Sequence, residues 1–332
     1  MRMPDTPMPT PDSLVLLLIC SRLALPKDSD LACLPLREWN PLVRRLQIAG
    51  LSPGALLDRR AADIQALISI SPEQAARLTR LLERQEALGE ALNRLAARGI
   101  LALTRADRDY PARYRQRLKD SAPAALFYAG EAALLGQPGL AVVGSRHLDP
   151  AGEEAATSLG NACGISGQVL YSGGAKGVDT ISLNAALEAR GSAVAVMADN
   201  LEKAVHTYRD LPGFSGGDVC LVSPYLPDSG FSVGAAMGRN RLIYALADYA
   251  VVVASDAETG GTWAGATEAL RHKWVPVFVL DYPEMPAGNH LLLQNGARSL
   301  PYPFPTPPAQ LAGWLSTQAS EQKPSAAQLS LF

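Results

Sequence analysis

Residues 140–179, LAVVGSRHLDPAGEEAATSLGNACGISGQVLYSGGAKGVD, contain two apolar runs that each empty into a small-residue turn with one cation. Residues 140–143 lead into Gly144-Ser145-Arg146. Residues 168–171 lead into Ser172-Gly173-Gly174-Ala175-Lys176-Gly177, with a helical segment between the two runs. Buried parallel strands joined by a helix place both turns beyond their carboxyl ends, on one edge of a sheet. Glycine lets backbone N–H groups approach an anion closely, and helix N-termini add partial positive charge. The stretch predicts an anion-binding mouth, and leaves a nucleotide, a dinucleotide and a nucleic-acid backbone open as its occupant.

From residue 140 onward the rhythm is strand, loop, helix, repeated. Strands are expected at 140–143, 168–171, 192–197, 219–222, 249–254 and 275–280, and helices at 151–163, 178–190, 238–247 and 262–272. The strands are continuous apolar runs, as in a parallel sheet covered on both faces. This is a doubly wound α/β domain, whose turns 144–146, 172–174 and 255–262 converge on the ligand edge.

The first hundred residues read differently. Residues 13–98 carry a helical pattern and no convincing strand. The apolar run 14–19 is too short to span a bilayer and follows Asp5 and Asp12 rather than a basic segment, so it is expected to be a core helix of a cytoplasmic protein. Ser71-Pro72-Glu73 reads as a helix start, and 74–97 as one helix closed by Gly99. Residues 42–54 read as helix, tight turn, helix, a module that more often packs than holds a DNA backbone. A short strand at 100–103 is followed by a basic helix (Arg113, Arg115, Arg117, Lys119), expected to be a solvated face. Five prolines in residues 301–308 make a stiff exit. The boundaries expected are 1–99 for the helical part, 100–305 for the Rossmann-like part, and 306–332 for a Pro-rich linker and flexible tail.

Four scattered cysteines without a CxxC, and four scattered histidines, predict neither a disulfide framework nor a metal site. Residues 1–120 carry 19 Lys/Arg against 14 Asp/Glu, and residues 121–332 carry 11 against 18. That acidic second part excludes a generally basic nucleic-acid binder, so phosphate must be held by a few placed cations.

Those cations sit in recognisable settings. Gly144-Ser145-Arg146 supplies a flexible turn, a hydroxyl donor and a guanidinium able to take a phosphate bidentately. Ser172-Gly173-Gly174-Ala175-Lys176-Gly177 is neither GxGxxG nor GxxxxGK[ST], which demotes NAD chemistry and NTP hydrolysis together and predicts no cofactor. Asp179 is expected to cap the following helix. Gly238-Arg239-Asn240-Arg241 reads as a helix start suited to phosphate. Gly261 and Thr262 offer a backbone donor and a hydroxyl, and Glu268, two turns further on, is either an exposed helical glutamate or an acid/base.

As a set, VGSR (143–146), SGGAKGVD (172–179), GRNRLI (238–243) and GNHLLLQNGA (288–297), preceded by YP (110–111) and LFYAG (126–130), resembles the DprA/Smf family of DNA-processing proteins. The resemblance covers roughly residues 13–300 and is strongest from 126 onward. It implies a helical SAM-like domain before an extended Rossmann-like domain, single-stranded DNA binding without catalysis, homodimerisation, and loading of a RecA-type recombinase. It places the pocket on Arg146, Lys176 with its glycine loop, Arg239 and Arg241. Two features depart from the family pattern: GGTWAGAT at 260–267 stands where many relatives have SG(S/T)LITA, and the winged helix many relatives carry is not expected within these 332 residues. Natural transformation and mobile-element defence both stay open as roles.

The terminal Gln328-Leu329-Ser330-Leu331-Phe332 resembles the pentapeptide by which bacterial replication proteins dock on the DNA sliding clamp, with Gln328, Leu329, Leu331 and Phe332 as contacts. The alternative from the enzyme class is a nucleotide N-glycosidase similar to the LOG family, with Glu268 as acid/base, although the GGxGT spacing of that family is not reproduced. A sensor binding a nucleotide signal in the same mouth is a third reading.

Overall fold

The computed structural model describes residues 9–209 and 212–321. Five helices come first: α1 (Pro11–Cys20), α2 (Leu36–Ile48), α3 (Ala61–Ile68), α4 (Pro72–Leu82) and α5 (Gln85–Ala96). They lead to β1 (Leu101–Thr104), α6 (Ala112–Leu118) and β2 (Ala125–Gly130). The alternating part follows as β3 (Gly139–Val143), α7 (Pro150–Ser166), β4 (Val169–Ser172), α8 (Val178–Glu188), β5 (Ala193–Val196), α9 (Leu201–Tyr208), α10 (Pro212–Gly216) and β6 (Val219–Ser223). It continues as α11 (Val233–Leu246), β7 (Tyr249–Val252), α12 (Gly260–His272), β8 (Val277–Asp281), α13 (Ala287–Gln294), β9 (Arg298–Pro301) and α14 (Leu311–Ser320). The class is the expected one, a Rossmann-like α/β sheet preceded by helices, and every predicted strand is present within about two residues.

By contacts the chain divides into two compact units, residues 1–136 with 194–246, and residues 137–193 with 247–332. In the first unit the strands neighbour one another in the order β1-β2-β6-β5, with β2 antiparallel to both β1 and β6. Its helices share one core: 15–19 of α1, Trp39, Leu46, Leu56, Ile64, Leu78, Leu81 and Leu88 are all buried. A helix apolar on every side has to be enclosed, which is why α1 sits in the middle of that core. Its start is fixed by Thr10, whose hydroxyl accepts the Ser13 N–H at 3.2 Å.

In the second unit the order is β4-β3-β7-β8-β9, with β3 parallel to β4 and β7, and β8 parallel to β7 and β9. β3 is buried along its whole length, as are β4 and all but one residue of β7 and β8. Those fully covered strands are what the uninterrupted apolar runs encode.

Four expectations are corrected. The helix expected over 74–97 breaks after Leu82, where the Arg84 guanidinium turns back to the Leu81, Leu23 and Leu18 carbonyls and satisfies the carboxyl end of α1. The Ser71 start does form, as a capping box with Gln74. The basic helix is not merely a solvated face: Arg115 donates to the Tyr110, Arg105 and Asp107 carbonyls, and Arg117 donates to the Ala245 carbonyl at 3.1 Å, at the carboxyl end of α11. The helix expected at 238–247 begins at Val233, because the Ser232 hydroxyl accepts the Ala235 N–H at 3.0 Å and caps it earlier. Finally, residues 311–320 of the expected tail are helical. Leu311 and Leu315 are buried, Trp314 packs against Phe278, and Arg298 donates to the Gln318, Ala319 and Glu321 carbonyls at the end of α14. The clamp-like residues Gln328, Leu329, Leu331 and Phe332 lie outside the described residues. Among the described residues no helix is long and apolar enough to cross a membrane.

Candidate functional site

The second unit brings three predicted turns together at the carboxyl ends of β3, β4 and β7. The Ser145 N–H donates to the Ala254 carbonyl at 2.9 Å, and the Val178 N–H donates to the Ser145 carbonyl at 3.3 Å. The first bond ties the turn after β3 to the end of β7, and the second ties it to the start of α8. Two glycines make this closeness possible. A side chain at Gly144 would collide with Val178, and one at Gly177 with the Ser145 carbonyl and with Arg146 Cα. Gly177 also has φ +85°, a conformation that other residues adopt only with strain.

This lacing presents Arg146 and Lys176 to solvent: both are exposed, beside half-buried Gly144, Ser145 and Gly174. Ser145 Oγ accepts the His147 N–H at 3.1 Å, which shapes the turn and leaves the hydroxyl proton available. Ser172, expected to contact phosphate, is corrected. It is fully buried and its hydroxyl donates to the Val142 carbonyl at 2.7 Å, so it pins β4 to β3. Asp179 is corrected too. Its carboxylate reaches back across the loop, accepting the Gly173 N–H at 3.1 Å and the Ala175 N–H at 3.3 Å. Two of the loop donors expected for phosphate are therefore occupied, while the Gly174 and Lys176 N–H groups carry no hydrogen bond among the described residues.

The turn after β7 leads into α12, whose first residues are Gly260, Gly261 and Thr262, with Thr259 at the cap making no side-chain capping bond. Glu268 lies further along α12 and is half-buried. The residue that sets this turn was not singled out from the sequence. Asn289, on α13, is fully buried; its Oδ1 accepts the Ser255 N–H at 2.9 Å, and its Nδ2 donates to the Val253 carbonyl at 2.9 Å and the Leu280 carbonyl at 3.1 Å. The one available signal was an amide beside a glycine at the start of an otherwise apolar helix.

Arg239, Asn240 and Arg241 belong to the first unit, in the interior of α11 rather than at its start. Arg239 is only 6% exposed. Arg241 is half-buried and, with Tyr225, lines a cavity of that unit. Burial pushes the Tyr225 hydroxyl above its ordinary pKa, and the Arg241 and Arg239 guanidiniums pull it back.

The model of the family described as DNA recombination-mediator protein A matches residues 101–303, more than half of the chain. The chain belongs to that family. Among characterised members, the DNA processing protein DprA of Streptococcus pneumoniae is 32% identical over 182 residues, which cover 53% of this chain and 63% of that protein. The match thus spans less than two thirds of the relative's length. The X-ray structure of the pneumococcal protein superposes with a TM-score of 0.67 at 21% identity, over 95% of this chain and 99% of that one. A structure of DNA processing protein A from Helicobacter pylori, described for its single-stranded DNA binding mode, gives a TM-score of 0.53 at 23% identity, over 68% of this chain and 97% of that one. At those identities the two structures speak to the fold.

Proposed function

We propose that this chain binds single-stranded DNA at the mouth of its second unit, as a binding protein rather than a catalyst. The observation that carries the reading is the interlocking of the turns after β3 and β4, which holds Arg146 and Lys176 exposed beside the Gly174 and Lys176 N–H groups. A phosphodiester needs that combination: charge for affinity and fixed donors for register. Gly261 and Thr262, at the start of α12, add a helix N-terminus to the same set. Membership of the family and the single-strand binding of the Helicobacter relative support the reading. Handing the strand to a RecA-type recombinase, pairing with a second copy, and docking on a sliding clamp through residues 328–332 belong to the same proposal.

The test is a gel shift with an oligo-dT strand, run beside an assay for base release from nucleoside monophosphates, each with Arg146→Ala and Glu268→Ala. Strand binding lost in Arg146→Ala, with no base release by any form, is the expected result. Base release that disappears only in Glu268→Ala would overturn it in favour of glycosidase chemistry. Removing residues 328–332 is expected to abolish clamp capture while strand binding persists.

A further inference from the structure

A cavity of about 440 Å³ lies wholly within the first unit, between the segment that follows α1, the start of β2, the end of β6 and the middle of α11. Among the described residues its charged lining is two arginines, Arg22 and Arg241, and no carboxylate lines it. Leu34, Phe127 and Leu226 supply an apolar wall, and Tyr225 stands beside Arg241. The Tyr225 hydroxyl is already used, donating to the Ala235 carbonyl at 2.9 Å. Arg241 Nε is buried and makes no hydrogen bond within the described residues. The two terminal nitrogens of Arg241 are not buried and make no hydrogen bond within the described residues either, so they, rather than Nε, are the donors an anionic ligand in the cavity meets.

We propose that this cavity is a second anion site that takes a free mononucleotide, with the phosphate on Arg241 and Arg22 and the ring against the Leu34–Phe127–Leu226 wall. Three features select that class of ligand. Two arginines without a carboxylate suit a phosphomonoester, which carries close to two negative charges near neutrality, better than a diester, which carries one. An apolar wall with an aromatic member suits a flat ring. The volume lies in the range that encloses a small molecule. This site uses neither Arg146 nor Lys176, which carry the strand-binding reading, and it assigns Arg241, which the family resemblance places with them, to a separate ligand.

The test is calorimetric titration of the full chain with deoxyadenosine monophosphate, with deoxyadenosine and inorganic phosphate as separate probes, and with and without saturating oligo-dT. The nucleotide is expected to bind more tightly than either fragment and to stay bound beside oligo-dT. Arg241→Ala is expected to weaken it by about ten- to hundredfold, the loss of a charge-assisted hydrogen bond. Leu226→Trp, which plugs the cavity without removing a charge, is expected to weaken it as well, and Arg146→Ala to leave it unchanged. Arg22→Ala, at an exposed position, tests the second cation and decides the matter if Arg241→Ala fails to fold. Absence of nucleotide binding by the natural chain would overturn the proposal. So would inorganic phosphate binding as tightly as the nucleotide, displacement by oligo-dT, or loss in Arg146→Ala with retention in Arg241→Ala.

Discussion

Asn289 accepts the Ser255 backbone N–H at 2.9 Å from 34 positions further along the chain. Through its amide nitrogen it also holds the Val253 and Leu280 carbonyls, so one buried side chain fixes the end of β7, its following turn and the end of β8. Asn289→Ala leaves these three groups unmatched. The expected cost is on the order of 3 kcal/mol, read as a lower denaturation midpoint in urea. Strand affinity should fall with it, because the turn leading to α12 loses its anchor.

Gly177→Ala tests the lacing itself. The new methyl group meets the Ser145 carbonyl and Arg146 Cα, and the backbone there sits at φ +85°. A loss of roughly 2 kcal/mol in stability is expected from the strain alone. Displacement of Arg146 should weaken oligo-dT binding about tenfold or more, measured by fluorescence anisotropy. Gly167→Ala is the matched control: it also has positive φ, but a side chain there meets nothing.

Asp179→Asn replaces a carboxylate that takes both the Gly173 and Ala175 N–H groups. The amide retains one acceptor oxygen and loses the charge, for an expected cost of about 1 kcal/mol. Amide hydrogen exchange at Gly173 and Ala175 should quicken, while exchange in β3 stays slow. Equal protection in both forms would mean that the carboxylate does not clasp the loop.

Burial pushes the Cys163 thiol up to about 12 from an ordinary value near 9. The unfolded chain therefore gives up this proton at lower pH than the folded chain does. The stability linked to the group is fully present below pH 9 and is lost progressively as pH rises from 9 through 12. Urea midpoints should fall between pH 8 and pH 10.5, and less steeply in Cys163→Ala. The thiol should also resist alkylation until the chain unfolds.

Much of the second unit was legible because its strands are covered on both faces. Residues 140–143, 168–171 and 249–254 show that as unbroken apolar runs, and each run ends where its turn begins. The start of α11 was not legible, since Gly238 looks like a boundary, whereas Ser232 caps the helix and 235–237 carry it through two glycines. Nor was the break after Leu82, which is decided by Arg84 reaching carbonyls more than sixty positions earlier in the chain. In the site, Arg146 and Lys176 stand exposed where their turns predict. Ser172 reads as an anion ligand in sequence and Asp179 as a helix cap, and only the three-dimensional neighbourhood shows that one pins two strands and the other clasps its own loop. Asn289 stands inside the 288–297 motif, but its contacts, up to 36 positions away, are not readable from that local pattern.

The most direct measurement of the central claim is the salt dependence of oligo-dT affinity for the natural chain and for Arg146→Ala. Each phosphate neutralised on a single strand contributes about 0.7 to the slope of log affinity against log salt. Arg146→Ala is expected to bind more weakly, with a slope shallower by about that amount. Unchanged affinity and an unchanged slope would place the strand somewhere other than the mouth built by the turns after β3 and β4.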